Sequence, residues 1–258
     1  MLTALAALLA LATATTDLAT AARAQTSATR VAGARQARDE AVRKLFATAG
    51  LTYPPGVLYL RAFKHEGVLE VWGGAAQRDL QLVASYPICA RSGELGPKRA
   101  AGDLQVPEGF YDITQLNPTS NFHLSLRVSY PNAADRLLGR KGALGGDIFI
   151  HGECVTIGCI PIQNEPIEAV YLMALDTALA RGALPVHIFP ARMDEAGQKL
   201  LAELAGDDAV LLAFWRTLAP AFMAFEKTRR VPRVRVNAKS GAYEVLVDGA
   251  TTAVSGEP

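Results

Sequence analysis

The sequence predicts a mainly β fold of the α+β class with flanking helices. Apolar and polar residues alternate with period two through much of 57–128, which marks half-buried strands. Beyond residue 164 the apolar period lengthens to that of a helix packed by one face. Half of the 258 residues are hydrophobic (50%) and 20% are charged, enough apolar material for a packed core. A net charge of +1 supplies no basic stripe, so no nucleic-acid partner is expected.

Leu2 to Ala12 is a short apolar run of Leu and Ala, and Ala22-Arg23-Ala24 is a small-x-small pattern. Residues 1–24 are therefore expected to be a signal peptide, with Gln25 as the new N-terminus and the periplasm as destination. No Lys or Arg precedes the run, so an Ala-rich helix or an uncleaved anchor is the competing reading. Residues 25–56 are expected as an N-terminal helical segment. In it Val42, Leu45 and Phe46 share a face, Gly50 closes the helix, and Tyr53-Pro54-Pro55-Gly56 breaks the chain.

Strands are expected at 57–63 and 68–72, around 80–84, at 110–113, 122–128, 147–151 and 185–189, the first two joined by a polar turn at Lys64 to Gly67. Irregular stretches at 92–109 and 130–146 read as long loops, and loops of that length inside a domain are usually functional. Ile167, Val170, Tyr171 and Ala174 describe a helix capped by Asn164 and stopped at Gly182. A catalytic domain is thus expected over 57–190. Residues 191–258 are expected as a helical appendage, with helices at 194–205 and 208–227 and a closing hairpin from 233–236 and 243–247.

The chemistry concentrates between Asp147 and Cys159. Ile148 and Ile150 would face the core, which puts Phe149 and His151 on the other side at the end of a strand. Gly152 and Gly158 permit the turns that bring Cys159 back toward the imidazole. A thiol beside an imidazole is the arrangement of thiol catalysis, with backbone amides around Gly158 and Cys159 available to an oxyanion. Thr156 or a backbone carbonyl could orient the ring. Three other readings compete: a structural thiol with a core histidine, a zinc site on His151, Cys154 and Cys159 that lacks an evident fourth ligand, or a Cys154–Cys159 disulfide. Three cysteines in an oxidising compartment leave one thiol over.

The elements His151-Gly152 and Thr156-Ile157-Gly158-Cys159 resemble the active-site motif of the L,D-transpeptidase catalytic domain, or YkuD, family. Further stretches are similar to its YafK-like branch, among them Leu60 to Lys64, Tyr86 to Ala90, Ser92 to Lys98, Gly102 to Tyr111, Tyr130 to Asn132 and His187 to Pro190. The resemblance spans about Leu58 to Pro190. It departs from the usual pattern in a short His-to-Cys connection, in Ile157 where a His is frequent, and in Pro161 where an Arg is common.

The resemblance implies a sandwich-like catalytic core with Cys159 as nucleophile, His151 as base, and Gly158, Gly152 and Thr156 in support. It implies peptidoglycan stem peptides as substrate, cut at an L-centre to D-centre bond beside diaminopimelate through an acyl-enzyme thioester. An amine acceptor then gives transpeptidation, to a cross-link or an envelope protein, and water gives hydrolysis. No metal or other cofactor is implied. A non-catalytic wall-binding module is the rival class. The family's fold also sets the 92–109 loop near the active site, which implies a Cys89–Cys154 disulfide that leaves Cys159 reduced. The competing arrangement keeps all three cysteines as thiols.

Overall fold

The first two strands are buried on both faces, and the chain supplies helices to cover each. A computed structural model describes the backbone of residues 2–181, 184–247 and 250–251, and side chains at Thr20, over 25–177 and over 184–246. The side chains of 1–24 other than Thr20, together with Gly182, lie outside the described residues.

Helix α1 (Leu2–Thr48) runs on through the expected boundary at Gln25 and ends at Gly50, whose φ of 72° suits a residue without a side chain. Strands β1 (Val57–Phe63), β2 (Val68–Gly74) and β3 (Gln81–Pro87) form an antiparallel meander. After the 92–109 loop come β4 (Gly109–Asn117), β5 (Ser125–Val128) and the short helix α2 (Ala133–Leu138), which Asn132 and Asp135 cap reciprocally. Then follow β6 (Phe149–His151), β7 (Ile160–Pro161), α3 (Asn164–Arg181) and β8 (Leu184–Phe189). Helices α4 (Glu195–Ala205) and α5 (Ala209–Thr228) precede a small sheet of β9 (Arg233–Val236), β10 (Tyr243–Val247) and β11 (Ala250–Thr251).

The main sheet is curled and eight-stranded, in the order β3-β2-β1-β8-β4-β5-β6-β7. It is parallel at β1–β8 and at β6–β7. The fold is thus α+β, with the sandwich made of one curled sheet and helices on both sides.

Alternation along β1 sorts its side chains between two cores. Leu58, Leu60 and Ala62 join Val42 and Phe46 of α1 and Ile167, Val170 and Ala174 of α3. Tyr59 and Phe63 point the other way, where Trp215, Leu218, Phe222 and Phe225 of α5 cover them. The stretch expected as an appendage therefore closes the second face of the sheet. Each buried aromatic of α5 contributes roughly 1.5–3 kcal/mol by removal from water. Among the described residues α5 is also the one helix long and apolar enough to cross a membrane, but its Phe214, Trp215, Leu218, Phe222 and Phe225 are buried within the protein.

A charge lies within this second core. Arg61 is 1% exposed, donates from Nη1 to Glu226 Oε1 at 2.8 Å and sits 3.2 Å from Glu70 Oε2. Its guanidinium also faces the Phe63 and Phe225 rings at 4.8 and 4.6 Å. Paired and stacked in this way, it anchors α5 at a place where a lone charge would be prohibitive.

Candidate active site

β6 and β7 are parallel neighbours, with Ile150 opposite Ile160 and His151 opposite Pro161. The chain must reverse between them within eight residues, and glycines make this possible. At Gly152 a Cβ would meet Asn164 Oδ1 at 2.6 Å and Phe122 O at 2.8 Å. Gly158 has φ 135°, which side-chain-bearing residues rarely adopt. Cys159 therefore enters β7 beside the strand that ends in His151.

Thr156 shapes the turn that carries Cys159 rather than orienting the imidazole. Its Oγ1 accepts from the amides of Gly158 (3.1 Å) and Cys159 (2.8 Å) and donates to Cys159 O at 2.8 Å. The two amides expected to meet an oxyanion are thus engaged by the threonine hydroxyl. The ring is oriented by a backbone carbonyl: His151 Nδ1 donates to Gly152 O at 2.6 Å.

His151 differs from the expectation that it would open onto a cleft. It is 1% exposed, and the Phe122 ring lies against it with centroids 4.7 Å apart and planes tilted by 33°. Cys159 is half-buried, and its thiol donates to Asp147 O at 3.6 Å. Burial holds the imidazole below its usual range, against an upward pull from the Gly152 carbonyl. Burial likewise pushes the Cys159 thiol above the ordinary 9.0. Each group therefore rests neutral, the thiol at the entry to β7 and the imidazole at the end of the neighbouring strand β6. It follows that alkylation of Cys159 by iodoacetamide climbs about tenfold per pH unit from about pH 6 to beyond pH 9, following the thiolate fraction. A plateau below about pH 8 would instead reveal a preformed thiolate–imidazolium pair.

The other two cysteines are joined to each other. Cys89, just after β3, and Cys154, in the reversal between β6 and β7, form a disulfide with Cα atoms 5.6 Å apart at a sequence separation of 65. Cys154 is thereby withdrawn from pairing with Cys159 and from any metal set, and Cys159 is the free cysteine. Closing a loop of that length contributes about 4 kcal/mol in the chain-entropy account. Among the described residues no group of three or more His, Cys, Asp or Glu side chains is placed to hold a metal ion.

Cys159 faces a cavity of about 160 Å³ walled by Lys64, Ile88, Ser92, Val106 and Ile160 among others. Its outer wall is the 92–109 loop, and two residues that sequence reasoning passed over hold that loop. Lys64 Nζ donates to Gly96 O (2.8 Å), Val106 O (3.0 Å) and Glu108 Oε1 (2.8 Å). Glu108, fully buried, also accepts from Gly96 N and from Trp215 Nε1, each at 2.7 Å. No local pattern marks either of them, since Lys64 stands among Arg61, His65 and Glu66, and Glu108 follows Gln105-Val106-Pro107. The Ser92 hydroxyl, buried at the cavity wall, has no hydrogen-bond partner within the protein.

This geometry can be set beside known proteins. A model of the L,D-transpeptidase catalytic domain (YkuD) matches residues 74–188, which contain the reversal, both ends of the disulfide and the thiol. YafK of Escherichia coli (strain K12) is 35% identical over 191 residues, covering 73% of this chain and 73% of that protein. The chain belongs to the L,D-transpeptidase catalytic domain family. Among solved structures, the helical cell shape determining protein Pgp2 from Campylobacter jejuni is similar with a TM-score of 0.45 and 17% identity, over 76% of this chain and 84% of that one. Mycobacterium tuberculosis L,D-transpeptidase 1 aligns with a TM-score of 0.29 and 14% identity, over 51% of this chain and 61% of that one. The family is one of enzymes that act on peptidoglycan stem peptides, and the matched stretch lies inside the 57–190 expected for catalysis.

Proposed function

We propose that this chain is an exported cysteine acyltransferase that cuts stem peptides at an L-centre to D-centre bond beside diaminopimelate. The observation that carries this reading is the hydrogen bond from His151 Nδ1 to Gly152 O, on the strand paired with the one that the free Cys159 leads into. The bond keeps the ring proton on Nδ1 and leaves Nε2 as a proton acceptor. As Cys159 Sγ attacks the carbonyl carbon of the L-centre, its proton passes to Nε2. The C–N bond then breaks, the departing amine takes that proton, and a thioester on Cys159 remains. An amine acceptor resolves the thioester by transpeptidation, to a cross-link or an attached envelope protein. Water resolves it by hydrolysis, and the acceptor sets the outcome.

The Cys89–Cys154 disulfide supports the exported setting, because such bonds persist in oxidising compartments such as the periplasm. The apolar run from Leu2 to Ala12 then serves as the leader. Incubation with defined muropeptides, followed by intact-protein mass spectrometry, tests the chemistry. The expected result is a transient adduct on Cys159 equal to the donor less its leaving amine. A protein that gives neither adduct nor product is a wall-binding module instead.

A further inference from the structure

Helix α1 does more than cover the sheet. Arg30 reaches from it to the connection between β4 and β5, where its Nη1 donates to Ser120 O at 2.6 Å, to His123 O at 2.8 Å and to Pro118 O at 3.5 Å. A second bridge runs from the same helix: Arg38 Nε donates to Glu168 Oε2 at 2.9 Å, and Glu168 Oε1 lies 2.8 Å from His123 Nε2. These contacts converge on a residue that needs holding, since His123 has φ 69°, a left-handed conformation that residues with a side chain adopt only under constraint. Its neighbour Phe122 lies against the His151 ring, and Phe122 O accepts from Gly152 N at 3.1 Å. A continuous path thus leads from one guanidinium to the imidazole and to the amide of Gly152, the residue whose carbonyl orients it.

We infer that Arg30 is a positioning residue for His151: by holding the 118–123 connection it seats Phe122 on the imidazole and keeps the Gly152 carbonyl aligned with Nδ1. This rests on His151 being the general base. Arg30 lies beyond residue 24 and stays in the chain whether or not the leader is removed.

The control is Arg35, which ties α1 to α3 by donating from Nη1 to Asp176 Oδ2 at 2.8 Å and has no bond to the connection. Arg30→Ala is expected to lower kcat on muropeptides by about 10–100-fold while KM stays within about twofold, with Arg30→Lys recovering part of the loss. Arg35→Ala is expected to keep kcat within about twofold of wild type. Independently of turnover, the His151 ring-proton resonance in NMR shifts in Arg30→Ala and in Phe122→Leu but not in Arg35→Ala. Arg30→Gln replaces the alanine variant if that fails to fold. Wild-type kcat with an unmoved resonance in the Arg30 variant overturns the inference, as does an equal loss in Arg35→Ala. If the wild-type protein turns over no muropeptide, the base assignment fails, and the resonance alone then decides whether Arg30 seats Phe122.

Discussion

Cys159→Ala and His151→Ala each lower muropeptide turnover by at least about 10⁴-fold, the scale on which losing the nucleophile or its base is felt in other acyl-transfer enzymes. On the proposed mechanism thiol and imidazole act as one unit, so the two losses are expected not to add: the double variant is no slower than the worse single one. The fold survives Cys159→Ala, since the turn is held by the Thr156 hydroxyl and by the Cys89–Cys154 bond rather than by the thiol. His151→Ala removes a buried ring and the cover it shares with Phe122, so its stability is measured alongside activity. Near-normal rates in either folded variant would sink the assignment of roles.

Glu108→Ala is expected to lower the unfolding free energy by about 3–5 kcal/mol, as removal of one partner from a buried ion pair does. The variant strands Lys64, 9% exposed, and deprives Gly96 N and Trp215 Nε1 of their acceptor. The loss appears as a fall in the urea midpoint at unchanged m-value. Glu108→Gln keeps the shape of the side chain and costs less. Because the pair also fixes the 92–109 loop that walls the cavity at Cys159, KM rises in the variants that fold. A destabilisation under about 1 kcal/mol would mean that the loop is held by other contacts, such as Asp103 accepting from Lys98 Nζ at 2.6 Å and from the amides of Arg99 and Ala100.

The motif that pairs His151 with Cys159 could be picked out in the sequence because its spacing is local. His151 and Cys159 lie eight residues apart with a glycine beside each, and no distant residue is needed to see that the chain can turn there. Most strands and helices were legible for the same reason, since each periodicity is carried by the element itself. The two-residue strands β7 and β11 and the one-turn-and-a-half helix α2 were not, being too short to show a period.

What the tertiary structure alone decided is long-range in every case. Cys89 became the partner of Cys154 because β3 ends beside β7, where Cys89 N donates to Pro161 O at 3.0 Å. Thr156 turned inward to its own turn and a carbonyl took the imidazole, a choice between acceptors equally near in sequence. Phe122 came to lie over His151, Arg30 came to hold Phe122's connection, and Trp215 came to meet Glu108 from a helix 107 residues away. The closure of the sheet's second face by α5 belongs to the same class. Residue types and their spacing determine which groups can react and which face of an element is apolar. Which of those groups are brought together depends on how sheet and helices pack, and that is settled only when burial of all the apolar faces is satisfied at once.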